Sequence, residues 1–80
     1  MITKEKLKDL VGRSVRYQRN INQQTLFDVS TKANISVSYL SDIERGRTLP
    51  SLYTVLMLAE ALGVNYPELL GITIINDPPM

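Results

Sequence analysis

The chain lacks cysteine, histidine and tryptophan altogether, and phenylalanine occurs once among its 80 residues. Without cysteine it can form neither a disulfide nor a thiolate metal site, and without histidine it lacks the commonest metal ligand and acid–base group. Only scattered Asp, Glu, Ser and Tyr remain for catalysis, with no paired motif and no glycine loop that would hold phosphate. We therefore expect no enzyme, no metal site and no cofactor.

Long apolar runs are missing as well. Because no stretch of about eighteen apolar residues is present, we expect no membrane span. The first ten residues, MITKEKLKDL, are charged throughout and contain no apolar core of a signal peptide. Eighty residues make one small domain whose single core is only marginally sufficient. The default expectation is a cytoplasmic, metal-free and oligomeric domain.

Charge is distributed unevenly along the chain, although the net charge is only +1. Residues 1–20 carry six basic and two acidic side chains, hence +4, whereas residues 51–80 carry three acidic side chains and no basic one, hence −3. Such polarity suits a domain that turns one side toward DNA. Ordinary mixed surface charge is the alternative interpretation.

Apolar spacing and capping residues predict an all-α chain with five helices and no strand-rich core. The predicted helices run from about Lys4 to Asn20, from a Thr25 cap to Ala33, over Ser36–Arg45, from a Ser51 cap to Leu62, and from Asn65 through Leu70, where Asn65 and Glu68 form a capping box. Asn34, Gly46 and Gly63 stand at helix ends, where a left-handed backbone is needed and where Asn and Gly tolerate it.

The segment NISVSYLSDIERGRTLP, residues 34–50, indicates a helix suited to insertion into a groove. Leu40 and Ile43 lie three apart on one face. The major groove of DNA accepts one α-helix and presents hydrogen-bonding and methyl groups at its base edges. We predict that the other face reads DNA sequence through short side chains, those of Val37, Ser38, Ser41 and Asp42.

Two helices joined by a short turn, the second with small groups outside, make a helix-turn-helix. The sequence also resembles the phage repressor/Cro-like (XRE-type) helix-turn-helix family over about residues 7–70. The segments that carry the resemblance are VGRSVRYQR, TLFDVSTKANIS, SYLSDIERGR, the Pro50-Ser51 pair and LAEALGV. The resemblance implies a five-helix, lambda-repressor-like DNA-binding domain over residues 1–70, with the helix-turn-helix at helices 2 and 3, dimeric operator binding and transcriptional control.

The resemblance also implies roles for individual residues. Arg19 and Glu44 match the positions that form an ion pair behind the turn. The positions whose side chains touch base edges are matched by Val37, Ser38 and Asp42, with Ser41 and Arg47 as supporting candidates. For Asp42 a local cap or an ion pair with Arg45 is the alternative.

Phosphate contacts are expected from helix N-termini and from basic or polar side chains. Tyr39 either packs over the turn or donates to a phosphate. The other predicted contacts are Thr25 and Ser51 at helix N-termini, together with Arg13, Arg16, Arg45 and Thr48.

Several residues depart from the family pattern. Leu26 stands where Gln is usual, Phe27 where a polar residue is usual, and Gln18 where an aliphatic residue is usually buried. The pair Val29-Ser30 replaces Leu-Ala. A large apolar ring at position 27 either packs sideways or lies against DNA sugars.

The fourth helix is apolar nearly all round, since only Thr54 and Glu60 are polar between residues 52 and 62. Leu52, Val55, Leu58, Ala59 and Leu62 suffice for the core, which leaves a second apolar face to be covered: Tyr53, Leu56, Met57 and Ala61. A second subunit is expected there, and the segment 72–75 either pairs with its symmetry mate or lies across the helix. The predicted dimer contacts are Tyr53, Leu56, Met57, Ile72 and Ile74.

These features predict a sequence-specific, double-stranded DNA-binding transcriptional regulator, a small dimeric repressor or autoregulator in a bacterial or phage-encoded setting, cytoplasmic and nucleoid-associated. Two-fold symmetry would place the recognition helices about one DNA turn, ~34 Å, apart on a pseudo-palindromic operator. The alternative is a protein-interaction module of the same fold, antitoxin-like or coactivator-like. Duplex binding with a steep salt dependence favours the first function, and stable purification with a partner protein favours the second.

Overall fold

The computed structural model of the protein describes residues 1–70. Over that range five helices follow one another without a strand, which confirms the predicted all-α fold: α1 (Lys4–Ile21), α2 (Leu26–Ala33), α3 (Val37–Glu44), α4 (Leu52–Leu62) and α5 (Tyr66–Leu69). α1 extends one residue beyond its predicted end, and the other predicted bounds fall on the helix or its capping residue. The predicted dimer contacts Ile72 and Ile74 lie outside the described residues.

Hydroxyl side chains start four of the five helices. Each hydroxyl oxygen accepts a hydrogen bond from the backbone N–H three residues on, at 3.0 to 3.2 Å, and the four residues are Thr3, Thr25, Ser36 and Ser51. At α5 the Glu68 carboxylate accepts from the Asn65 N–H at 3.0 Å, the contact expected of a capping box. These bonds satisfy amides that have no partner inside the helix, and so they fix where each helix begins.

Left-handed backbone follows α2, α3 and α4 at the residues that the sequence indicated. The φ angles are 60° at Asn34, 73° at Gly46 and 72° at Gly63. The turn at Asn34 lets α3 begin after three intervening residues, as a helix-turn-helix requires. Gln23, between α1 and α2, also has a positive φ of 55°, which the sequence did not indicate.

All five helices contribute to one apolar core. Its fully buried side chains are Val11 and Val15 of α1, Val29 of α2, Leu40 and Ile43 of α3, Leu58 of α4 and Leu69 of α5. Both α1 and α2 pack against α3, and α4 packs against α2. The third helix is therefore held from two sides by its apolar face, which leaves its other face to solvent.

The division of α4 into core and outer residues differs from the prediction. Leu52 was predicted to lie in the core, but 65% of it is exposed. Met57 and Ala61 were predicted to lie outside, yet both are partly buried against the core. A helix has 3.6 residues per turn, and α4 is rotated so that Leu52, Tyr53 and Leu56 share the outer face.

A glycine sets the distance between α1 and α3. A Cβ atom at Gly12 would lie 2.5 Å from the backbone oxygen of Ile43 and 2.9 Å from that of Glu44. Gly12 is buried, and its missing side chain allows the backbone of α1 to approach the last turn of α3. The backbone of α3 thus packs directly against that of α1, a close approach that only glycine permits.

Candidate nucleic-acid interface

The outer face of α3 is open among the described residues. Leu40 and Ile43 are fully buried beneath the helix, whereas Ser38 is exposed and Val37 is 40% exposed. Val37 and Ser38 follow the Ser36 cap at once, so they stand in the first turn of the helix. This turn presents a methyl-bearing group and a hydroxyl, the two kinds of group that contact thymine methyls and base-edge polar atoms in a major groove.

Ser41 occupies a different place from Val37 and Ser38. It is half-buried and lines a cavity of about 180 Å³ where α1, α2 and α3 meet. The other residues that line the cavity are Arg16, Arg19, Leu26, Glu44 and Arg45. Ser41 therefore faces the junction of three helices.

Asp42 and Arg47, both predicted to read bases, contact each other. The Arg47 Nη1 atom lies 3.7 Å from Asp42 Oδ1, and the side chains are 64% and 47% exposed respectively. Asp42 thus has an ion pair, as its alternative interpretation expected, but the partner is Arg47 and not Arg45.

Arg19 and Glu44 form a bidentate ion pair between the end of α1 and the end of α3. Arg19 Nε donates to Glu44 Oε2 at 2.6 Å and Nη2 donates to Oε1 at 3.0 Å, while the side chains are only 15% and 7% exposed. Arg19 Nη1 also donates to the Gln24 backbone oxygen at 3.0 Å, which ties down the turn before α2. The hydrogen bonds to Glu44 raise the pKa of Arg19. Because the Arg19–Glu44 pair lies behind the turn and is largely buried, its role is to hold α1 and α3 together.

The N-termini of α2 and α4 differ in charge. Asp28 accepts from the Thr25 N–H at 2.9 Å, and hydrogen bonds with Thr25 lower the pKa of Asp28 below its ordinary value of 3.8. This carboxylate stays ionised at neutral pH and offsets part of the positive helix end that attracts phosphate. The first turn of α4, capped by exposed Ser51, carries no acidic residue.

The predicted basic contacts divide into two groups. Arg16 and Arg45 are exposed and line the same cavity, although 29 positions separate them in the sequence. Arg13 is exposed as well, but its Nε lies 3.3 Å from Asp9 Oδ2 of the same helix. The fold therefore brings Arg16 and Arg45 together beside the start of α2, whereas Arg13 does not line this cavity and pairs with Asp9 of its own helix.

Two uncharged candidates are less accessible. Thr48 is half-buried in the loop between α3 and α4. Tyr39 is partly buried against the core, and its phosphate contact stays a prediction.

The residues that depart from the family pattern differ in burial. Leu26 is partly buried against the core and also lines the three-helix cavity. Phe27 is 69% exposed, so its ring does not pack sideways into the described fold. Ser30 is buried, and its hydroxyl donates to the Phe27 backbone oxygen at 3.0 Å, which satisfies a polar group inside the core. Gln18 is half-buried.

Comparison with known proteins identifies the arrangement. The helix-turn-helix family model matches residues 13–69, most of the chain. The chain belongs to the helix-turn-helix family. The phage repressor/Cro-like (XRE-type) resemblance is confirmed, and this family consists of DNA-binding transcriptional regulators.

Two regulators are similar in sequence to most of this chain. The chain is 47% identical over 58 residues to the HTH-type transcriptional regulator DdrOP3 of Deinococcus deserti, covering 72% of this chain and 43% of that protein. It is 41% identical over 61 residues to the immunity repressor protein of Bacillus phage phi105, covering 76% and 42%. This helix-turn-helix chain thus spans about four-tenths of the length of these two relatives.

A solved structure of similar size has the same fold. The restriction-modification controller protein C.AhdI from Aeromonas hydrophila superimposes with a TM-score of 0.75 at 27% identity, covering 78% of this chain and 94% of that one.

Within residues 1–70, no helix has both the length and the apolar character needed to cross a membrane.

Sequence reasoning missed three contacts that hold the helices together. They are the close approach at Gly12, the Arg19 bond to the Gln24 backbone oxygen, and a bond from Asn22 Nδ2 to the Leu62 backbone oxygen at 3.1 Å. The last two end on main-chain carbonyls, which every residue has, so no residue type signals them. Gly12 carried a signal, because an isolated glycine inside a helical pattern usually has a packing reason.

Proposed function

We propose that the protein is a sequence-specific regulator of transcription that inserts α3 into the major groove of double-stranded DNA. Support comes from one observation above all: Leu40 and Ile43 anchor α3 in the core while Val37 and Ser38 remain accessible. Membership in a family of DNA-binding regulators supports the same function.

Phosphate contacts would flank this helix. Arg16 and Arg45 are exposed beside the N-terminus of α2, where Thr25 is the cap. The Ser51-capped N-terminus of α4 adds a positive helix end without an acidic residue in its first turn. We infer that these groups fix the register of the protein on the duplex, whereas α3 reads the bases.

Selection of binding sites from a random pool of DNA duplexes tests this function. We expect a consensus with two related half-sites, and binding that weakens by about 10³–10⁵-fold between 50 and 200 mM salt if 6–10 phosphates are contacted. The folded protein failing to bind any duplex at low salt would overturn the proposal. If it then purified stably with a partner protein, the interaction module would replace it.

Arg16→Ala separates phosphate contact from base reading. We expect this variant to weaken binding to all sequences about equally and to reduce the salt slope by about one unit, because one phosphate contact is lost. Lys6→Ala is the matched control, since Lys6 is exposed in the first turn of α1, and its slope should equal that of the wild type. A changed consensus in Arg16→Ala would contradict the assignment.

We infer repression as the regulatory output, because occupancy of an operator is sufficient for it. Similarity to a phage immunity repressor and to a restriction-modification controller protein supports a repressor or an autoregulator. Such a protein would act in the cytoplasm on bacterial or phage DNA. Transcription in vitro from a promoter that carries the selected site should fall as protein is added, and a rise would assign activation instead.

A second copy of the chain is the proposed cover for the outer face of α4. On this face Leu52, Tyr53 and Leu56 are 65%, 70% and 40% exposed, next to partly buried Met57. Large apolar side chains gathered on one face favour a protein contact over solvent. A two-fold dimer would also supply the two recognition helices that a pseudo-palindromic operator requires.

Sedimentation equilibrium of charged variants tests the dimer. We expect Tyr53→Asp and Leu56→Asp to raise the dimer dissociation constant at least about tenfold, because a buried unpaired carboxylate is costly at an apolar contact. Tyr17→Asp is the control, since Tyr17 is similarly exposed, at 62%, but lies on α1. Ile72→Asp and Ile74→Asp report on the C-terminal segment. Equal dissociation constants for wild type and the α4 variants would rule out this face.

A further inference from the structure

The end of α3 brings Asp42 and Arg47 together by two separate constraints. Gly46, in left-handed conformation, reverses the chain, and the Arg47 N–H donates to the Asp42 backbone oxygen at 3.0 Å. The Gly46 N–H donates to the Ile43 backbone oxygen at 3.0 Å, so the two bonds form a Schellman motif. The backbone thus holds Arg47 beside Asp42 whatever their side chains do, and the ion pair at 3.7 Å adds a second link.

Each side chain alone would meet a problem in a DNA groove. A free carboxylate at position 42 would be repelled by the phosphates. A free guanidinium at position 47 could bind any of several nearby phosphate oxygens instead of a base. Paired, they carry no net charge, so long-range attraction to phosphates no longer decides where Arg47 points. Arg47 has five N–H donors and its side chain is 64% exposed, so the pair with Asp42 leaves donors that a second acceptor can reach.

The donors and acceptors of the pair match one base pair. In the major groove guanine presents two acceptors, N7 and O6, which suit a bidentate arginine, and the cytosine paired with it presents an amino donor that suits a carboxylate. A carboxylate offers two oxygens, and the contact with Arg47 uses Oδ1. An adjacent arginine and aspartate therefore complement the whole major-groove edge of a G·C pair. An A·T pair presents the adenine amino donor where Arg47 needs a second acceptor, and the thymine O4 acceptor where Asp42 needs a donor.

We propose that Asp42 and Arg47 act as one recognition unit for a single G·C base pair in each half-site. Arg47 donates to the guanine, while Asp42 positions the guanidinium and accepts from the cytosine amino group. This inference rests on the proposed DNA-binding function, and it differs from two independent contacts in that both residues determine the same position of the operator.

Site selection with four proteins tests the unit: the wild type, Asp42→Ala, Arg47→Ala and the double variant. We expect both single variants to lose preference for G·C at the same position. Affinity ratios for the four base pairs there should fall by roughly 5- to 150-fold, the discrimination of one bidentate contact. The double variant should lose little beyond either single one, because the second change removes a contact that has already gone.

Two further variants separate this role from phosphate binding. Arg47→Lys keeps the charge but not the planar fork, so it should fail to restore G·C preference if the contact is bidentate. Arg45→Ala is the matched control, because Arg45 caps the C-terminus of α3, is exposed and forms no ion pair within residues 1–70. It should weaken binding to all sequences alike and leave the consensus unchanged. Thermal unfolding of each variant checks that the protein is folded.

Three outcomes would overturn the unit while leaving the proposed function in place. In the first, Asp42→Ala and Arg47→Ala change the preference at two different positions of the operator. In the second, both variants keep the wild-type consensus. Full G·C preference in Arg47→Lys is the third. Failure of the wild type itself to select any site would instead remove the proposed function, on which the unit depends.

Discussion

Replacement of Glu44 by alanine is expected to lower the free energy of unfolding by about 3–5 kcal/mol, the cost of leaving one partner of a buried ion pair without the other. Arg19 would keep a side chain that is only 15% exposed, with its charge no longer matched by Glu44. Urea denaturation followed by linear extrapolation measures the difference. A small domain has about 5–15 kcal/mol of stability, so this loss would remove at least about a fifth of it.

The control for Glu44→Ala is an ion pair on the surface. Glu5 lies 3.4 Å from Lys8 and is 80% exposed, so Glu5→Ala should change stability by less than about 1 kcal/mol. Equal losses for the two variants would show that burial of the Arg19–Glu44 pair contributes nothing. The double variant Arg19→Leu with Glu44→Leu should recover part of the loss, since it leaves no unpaired charge.

Replacement of Gly12 by alanine should destabilise the protein by about 1–3 kcal/mol, the usual cost of overpacking a buried site. The sign is informative, because the same change in an exposed helix interior stabilises by about 1 kcal/mol. Here the new methyl group would lie 2.5 and 2.9 Å from backbone oxygens of Ile43 and Glu44, and neither is the end of a flexible side chain. α1 and the last turn of α3 would have to separate.

Thermal and urea unfolding of Gly12→Ala should be compared with Tyr17→Ala in the same helix. Tyr17 is 62% exposed, so its replacement should stay within about 0.5 kcal/mol of the wild type. DNA affinity provides a second measurement, because the separation of α1 from α3 would also move the Asp42–Arg47 end of the recognition helix. A Gly12→Ala variant more stable than the wild type would contradict the close approach.

Local sequence patterns predicted most of the helix bounds. Helix starts are marked by hydroxyl side chains at positions 25, 36 and 51, and helix ends by residues with left-handed backbone at positions 34, 46 and 63. Both act through hydrogen bonds to residues only a few positions away. Such signals need no knowledge of the rest of the chain. The open face of α3 was predictable for the same reason, because the 3.6-residue period places Leu40 and Ile43 on the opposite side from Ser38.

Contacts between distant segments were determined by the tertiary structure alone. Apolar pattern could not show which side of α4 would be buried, since that helix is apolar nearly all round, and so Leu52 was misplaced. Nor does spacing reveal that Arg16 and Arg45 share a cavity. The sequence by itself determined the elements and the family, because these depend on short-range bonds and local periodicity. The rotation of each helix and the side chains that distant helices bring to one cavity depend on close packing among segments far apart in the chain, and only the assembled fold decides them.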